Sequence, residues 1–345
     1  MTTETHRPAH RVILDCDPGN GVPATDIDDG LALGLLLASP EVHVEAVTIA
    51  TGNTHRDVGY RVARTMLDEV GADVPVYAGA ASALVEPATP WAERREAGRV
   101  SPQATELWSS VPGPGEYDPA GDYSAAAEIA RRVAAEPGEI TIVAVGPLTN
   151  IAHAMQLHPG LARDARRIVI MGGAFDVPGF LQELNFGIDP EAAQVVLASG
   201  GDITLVPLDV TITTTLLLDD VDRLRGVSTP VAQYLATTTA PWIRYCESER
   251  EMSGCRLHDP LAAAVLLDPE LVSVERAAVD VQLTGLVRSR PVRWDPNGVK
   301  LATGIDLPAG TEIDIVVGVD NARLVDLLLT ELARTDATQL TPAAQ

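Results

Sequence analysis

Short continuous apolar runs alternate along the chain with segments whose apolar residues recur at helical spacing, the pattern of strands and covering helices. Val12-Ile13-Leu14 reads as a buried strand, followed by an apolar helix from Gly30 to Ser39 that Pro40 closes. Val42 to Ala50 is the next strand, Arg56 to Val70 the next helix, and Val74 to Tyr77 a short third strand. Such alternation predicts an α/β fold with a mostly parallel, Rossmann-like central sheet flanked by helices. Between Gly79 and Asp122 the periodicity fails: prolines and glycines interrupt it, and Trp91, Arg94, Arg95 and Trp108 are scattered through it. A long aperiodic insertion of this kind predicts a functional rim or a surface excursion.

Order resumes with a helix from Ser124 to Ala135, a strand from Glu139 to Val145, a helix ending near Gln156 and a strand from Arg167 to Met171. Asp189-Pro190-Glu191 carries the proline and acids of a helix start, and Ile203 to Val206 is another strand. Short alternating segments from Val279 to Val319 predict a small antiparallel portion before a last helix, Asn321 to Ala333. No repeat or linker divides the chain, so one domain is expected over residues 11–334, with 1–10 and 335–345 as flexible tails.

Composition narrows the chemistry. The 345 residues carry 25 Lys+Arg against 48 Asp+Glu, a net charge of −23 that repels nucleic acid and anionic membranes. Lys300 is the only lysine, which leaves no Schiff-base lysine elsewhere and no phosphate loop of the Gly-Lys-Ser/Thr type. Cys16, Cys246 and Cys255 have neither disulfide nor zinc spacing and suit a reducing cytoplasm; no apolar run is long enough to span a membrane.

Asp15, Asp17, Asp26, Asp28 and Asp29 crowd a strand end, where open α/β sheets bind ligands. A solvated acidic turn is the plain alternative, but acids bracketing a Gly/Pro loop at a sheet edge favour a hard divalent cation such as Ca²⁺ or Mg²⁺. His258-Asp259-Pro260 precedes an apolar helix and is explained equally by helix capping unless it folds back onto the first cluster. Glu183-Leu184-Asn185 sits among Phe175, Phe180 and Phe186; on an extended backbone Glu183 and Asn185 would share one side and suit vicinal hydroxyls, whereas the phenylalanines alone indicate local core.

Taken in order, these segments resemble the inosine-uridine type nucleoside hydrolases. The resemblance rests on Asp15-Cys16-Asp17-Pro18-Gly19 with Asp28-Asp29, Ala50-Thr51-Gly52-Asn53, Val76-Tyr77-Ala78-Gly79 and Val145-Gly146-Pro147-Leu148-Thr149-Asn150. It continues through Met171-Gly172-Gly173-Ala174, Glu183-Leu184-Asn185-Phe186, Asp189-Pro190-Glu191-Ala192, Leu208-Asp209-Val210-Thr211 and His258-Asp259-Pro260-Leu261. It implies cleavage of the N-glycosidic bond of ribonucleosides with a Ca²⁺ ion at the base of the pocket. By motif, Asp17, Asp29, the main-chain carbonyl of Val145 and Asp259 would ligate the metal. Asp28, Asn53, Glu183 and Asn185 would hold the ribose, with Met171 nearby. Asp17 would take the proton of a metal-bound water, His258 would aid the leaving base, and a homodimer or homotetramer is the implied assembly.

The chain departs from the family's Asp-x-Asp-Pro-Gly-x-Asp-Asp pattern, because Asn20 to Ile27 separate Gly19 from Asp28. Either the extra residues bulge outward and the metal geometry survives, or Asp26 replaces a ligand. The segment before Glu183 is short and lacks the family's asparagine for the 5′ hydroxyl. Two rival readings remain: a haloacid-dehalogenase-like phosphatase, which needs a well-placed lysine, and a non-catalytic nucleoside- or ribose-binding homologue.

Overall fold

The computed structural model describes residues 9–87, 89–119, 124–296, 310–337 and 339–340. Nine strands form one sheet: β1 (His10–Cys16), β2 (Val42–Ile49), β3 (Val76–Ala78), β4 (Ile140–Ala144), β5 (Arg167–Met171), β6 (Ile203–Val206), β7 (Val272–Val281), β8 (Pro291–Trp294) and β9 (Thr311–Val319). Their order is β3-β2-β1-β4-β5-β6-β9-β7-β8; β3 through β9 run parallel, and β7 and β8 complete the sheet antiparallel. The chain winds outward from β1 through β2 to β3, then returns to the other side of β1 with β4. That reversal opens a crevice at the carboxyl ends of β1 and β4, the place where such sheets bind ligands.

Alternation along β1 explains the layers. Val12, Leu14 and Cys16 enter one apolar cluster, whereas Ile13 enters the cluster on the opposite face. On the first face α1 (Asp28–Ala38) is buried at every position, as its unbroken apolar sequence requires. The amphipathic α2 (Arg56–Val70) ends at Gly71, whose φ of 71° is the left-handed conformation that a helix stop uses.

The expected aperiodic insertion contains two helices, α3 (Thr89–Arg99) and α4 (Pro102–Leu107). Hydrophobic spacing missed them because α3 is almost entirely polar. Ser101 marks α4 instead, accepting from the Ala104 N–H at 3.1 Å ahead of Pro102. The second face carries α5 (Ala125–Ala135), α6 (Thr149–Leu157), α7 (Leu161–Asp164), the short α8 (Leu184–Ile188) and α9 (Pro190–Leu197). The remaining helices are α10 (Leu208–Thr211), α11 (Leu218–Arg225), α12 (Pro230–Glu249), α13 (His258–Leu267) and α14 (Asn321–Leu332); α1 packs against α12, α13 and α14.

Both clusters lie on the one sheet, so this is a single α/β domain. Of the expected tails, residues 1–8 and 341–345 lie outside the described residues, as does Lys300. His10 already belongs to β1, and the Gln339 side chain exchanges hydrogen bonds of 2.7 and 3.0 Å with the Val44 backbone. Among the described residues no helix is long and apolar enough to cross a membrane.

Leu36, fully buried in α1 and remote from the sheet's carboxyl edge, tests how far this helix anchors the fold. Leu36→Ala should cost about 2–5 kcal/mol in urea unfolding; a loss under about 1 kcal/mol would contradict the packing described.

Candidate active site

Asp15 and Asp17 leave β1 on different errands. Asp15 is buried, accepting from Thr48 Oγ1 at 2.6 Å and Asn150 Nδ2 at 2.8 Å, and burial pushes its carboxyl up to about 7. It ties β1 to β2 and α6 and takes no part in lining the cavity described below. Asp17, also fully buried, instead meets Asp29 and Asn53. Its N–H donates to Asp29 Oδ1 at 2.8 Å, its Oδ2 accepts from the Asn53 N–H, and its buried Oδ1 meets no donor among the described residues. Gly52 is required here, since a Cβ would lie 1.8 Å from Asp17 Oδ2.

The insertion after Gly19 closes on itself. A Cβ on Gly19 would stand 2.2 Å from the Asp26 carbonyl, so the chain leaves and returns at one point. Skipping Asn20 to Asp26 restores the family spacing, with Ile27 in the variable position. Asp28 and Asp29 therefore start α1 side by side, both buried at the positive end of its dipole. Asp26 also reaches the cavity wall, beside Asp28.

Asp259 completes the group from the far end of the sequence. Its N–H, in the first turn of α13, donates to Asp28 Oδ2 at 3.0 Å, so two helix N-termini converge. Capping alone does not explain it: Leu257 holds the cap position, and carboxylate oxygens of Asp28, Asp29 and Asp259 lie within 4.8 Å of one another. Burial, then the neighbouring carboxylates, push Asp17, Asp28 and Asp259 well above the usual range; burial raises Asp29 to about 6. Carboxylates forced together in this way either hold protons or hold a cation. The all-oxygen donor set, with the partnerless Oδ1 of Asp17 beside it, fits a hard divalent ion.

Two of the expected metal ligands lie together in this group. Asp29 and Asp259 meet Asp28, which the resemblance assigned to the sugar, while Asp17 adjoins them through its bond to Asp29. Val145 lines the same cavity, and its carbonyl accepts from Asn185 Nδ2 at 2.7 Å.

Glu183 and Asn185 do not share an extended strand. Glu183 caps α8, because its carboxylate accepts from the N–H groups of Asn185 (2.7 Å), Phe186 (3.0 Å) and, across a turn, Gly173 (2.7 Å). The sequence reading missed this since a glutamate is not a usual cap. Asn185 is locked by bonds from Nδ2 to the carbonyls of Val145 and Met171, which leaves Oδ1 for the cavity. Of the phenylalanines, Phe186 is core beneath Gly172 and Gly173, while Phe180 stands 46% exposed on the cavity rim. Asn53 Nδ2 donates to Asp29 Oδ2 at 3.3 Å, which places the amide against the acidic group.

His258, the first residue of α13, is half-buried with Nδ1 2.7 Å from Thr211 Oγ1. Burial pushes its imidazole down to about 4, assisted by Arg256 and Arg250 and opposed by Asp26. These groups surround a cavity of about 460 Å³, within the size range of small-molecule sites. Asp28, Asn53, Met171, Glu183, Asn185, Val145, His258 and Asp259 all line it. Tyr245 and Arg250 at the end of α12 line it too and went unnoticed in the sequence, although an aromatic pair, Trp242 and Tyr245, ahead of an arginine was legible there.

A family model described as inosine-uridine preferring nucleoside hydrolase matches residues 12–326. The pyrimidine-specific ribonucleoside hydrolase RihA of Citrobacter koseri is 34% identical over 329 residues, covering 93% of this chain and 97% of its own. A plant nucleoside hydrolase structure superposes with a TM-score of 0.80 at 29% identity, covering 94% of this chain and 99% of that one. The purine-preferring ribonucleoside hydrolase from Gardnerella vaginalis gives a TM-score of 0.75, also at 29% identity, over 94% and 98% of the two chains.

A cation that relieves the carboxylate crowding must stabilise the folded state. Saturating Ca²⁺ at about 100 Kd should add about 2.7 kcal/mol to chelator-treated protein, read as a higher thermal midpoint. Asp259→Asn should abolish that response while melting at or above the metal-free parent, because one repelling charge is gone. An unchanged midpoint in the parent would count against the metal site.

Proposed function

Because the chain belongs to the inosine-uridine preferring nucleoside hydrolase family and is a ribonucleoside hydrolase, we propose that it splits the N-glycosidic bond of a ribonucleoside with a Ca²⁺-assisted water and Asp17 as base. The observation that carries this reading is the partnerless, buried Oδ1 of Asp17 beside the converging carboxylates of Asp28, Asp29 and Asp259. Asp17, Asp29, Asp259 and the Val145 carbonyl would hold the ion, with Asp28 on the side of the sugar. When bound, Ca²⁺ neutralises the acids and polarises the attacking water.

Asp17 takes one proton of the water as its oxygen bonds to C1′. The C1′–N bond breaks, its electron pair leaves with the base, and ribose forms. Positive charge builds on the sugar along this path, so the surrounding carboxylates stabilise the transition state above the neutral nucleoside. Asp28, Asn53 and the free Oδ1 of Asn185 orient the ribose hydroxyls; Glu183, whose oxygens are engaged by backbone N–H groups, chiefly fixes Asn185, with Met171 beneath. His258, whose Nδ1 meets Thr211, faces the base and eases its departure. Solvent-exposed Val274, Val292 and Val317 on the antiparallel edge of the sheet offer surface for a homodimer or homotetramer, and the free, buried cysteines suit the cytoplasm.

The relatives differ in base preference, one pyrimidine-specific and one purine-preferring, so the substrate panel must include both classes. Ribose release measured by reducing-sugar assay should require Ca²⁺ and stop with chelator. Asp17→Ala should lower kcat by at least about 10²–10⁴-fold; near-full kcat in Asp17→Asn would defeat the base assignment. His258→Ala should slow nucleosides far more than an activated nitrophenyl riboside, and equal losses on both would contradict its role.

A further inference from the structure

Among the described residues that line the cavity, Arg250 is the only permanent cation, set against Asp26, Asp28, Glu183 and Asp259. In a chain with 48 acids this guanidinium has no carboxylate within ion-pair distance among the described residues. Its partners are aromatic rings. The guanidinium carbon lies 4.5 Å from the Trp242 ring centroid and 5.9 Å from that of Tyr245. Those rings are themselves fixed: Tyr245 stacks on Trp242 at 5.8 Å and 15°, and meets Trp108 edge-on at 5.9 Å and 73°. Face contact with a ring leaves the in-plane N–H groups of a guanidinium available to a ligand.

The backbone that presents Arg250 is braced. The N–H groups of Arg250 and Met252 both donate to the Cys246 carbonyl at 3.1 Å, and Cys255 exchanges bonds of 2.9 and 3.0 Å with Leu216. Between these anchors Glu251 is held at a φ of 52°, a left-handed conformation that a glutamate rarely adopts. Arg250 is thus an exposed cation at the cavity wall, held by its ring contacts and by a braced backbone.

We propose that Arg250 contacts the nucleobase and stabilises the negative charge it acquires as the C1′–N bond breaks. This inference rests on the hydrolysis proposed above and assigns that site a second leaving-group contact. Arginine does not surrender a proton at ordinary pH, so its action is electrostatic. The electron pair of the broken bond stays on the base nitrogen, which is protonated by solvent after release. The other leaving-group contact, His258, is half-buried and hydrogen-bonded to Thr211, and Tyr245 offers one neutral hydroxyl; neither supplies a fixed positive charge.

The test compares Arg250→Met, which keeps the bulk, and Arg250→Lys, which keeps the charge, on uridine, inosine and 4-nitrophenyl riboside. In Arg250→Met, kcat for the nucleosides should fall about 10²-fold while the nitrophenyl riboside, whose leaving group is already a stable anion, changes less than about threefold. Arg250→Lys should recover part of the nucleoside rate. Across a nucleoside series, log kcat should depend more steeply on leaving-base acidity in Arg250→Met than in the parent. Equal losses on all substrates, or no loss on nucleosides, would overturn the inference. Failure of the parent to release ribose from any nucleoside would instead remove the hydrolysis reading itself.

Discussion

Repulsion among buried carboxylates is the constraint around which the rest of the molecule is arranged. Asp17, Asp28, Asp29 and Asp259 are packed almost wholly buried at one end of the sheet, where each disfavours ionisation of the others. The scaffold lessens the cost in two ways. The N-termini of α1 and α13 aim their dipoles and free N–H groups at the cluster, and backbone donors from Asp17, Asn53 and Asp259 bind its oxygens. The remaining excess of negative charge suits the site to a cation and, on the hydrolysis proposed above, to a sugar that becomes positive during bond cleavage.

Holding four acids this closely requires rigid surroundings. Asp15 does not join them; it fastens β1 to β2 and α6 through Thr48 and Asn150. Glu183 likewise spends its carboxylate on three backbone N–H groups, which locks α8 against the Gly172-Gly173 turn and fixes Asn185. Gly52 leaves room for Asp17, and Gly30 leaves room for Asn20, whose side chain a Cβ there would approach to 2.1 Å. Acidic residues in this protein thus divide into those whose oxygens are spent on protein donors and those whose oxygens crowd one another at the site, a distinction invisible in their spacing.

The two ends of the cavity are built on different logic. The acidic end is dense with short, immobilised acids and amides drawn from the sheet edge. The rest of the wall includes Tyr245 and Arg250 from α12 and its C-terminal cap, Phe180 from a loop and Trp91 from α3, and some of these are partly exposed. Trp91 also reaches across to Gly187, where a Cβ would lie 2.5 Å from its ring, so α3 contributes to the wall nearest α8. An invariant sugar paired with a variable base would favour this division, and relatives with opposite base preferences are consistent with it.

Much of this architecture was legible in the sequence. Apolar runs located β1, β2, β5 and β6, helical spacing located α1, α2 and α14, and acids at the end of β1 marked the edge where ligands bind. Those signals are local, set by side-chain periodicity and by which residues tolerate a strand terminus. The polar helix α3 gave no such signal, and α8 was misread as extended because its cap is a glutamate that also serves Gly173. Which acids meet was not local at all. The bond from Asp259 to Asp28 joins residues 231 positions apart, and the closure of the Asn20–Asp26 loop, which decides that Asp28 and Asp29 take their places at the site, depends on Gly19 fitting against the Asp26 carbonyl. The layers, the ligand-binding edge and the stock of carboxylates follow from local side-chain patterns; which carboxylates converge follows from long-range contact, because it is set by the packing of α1 against α13.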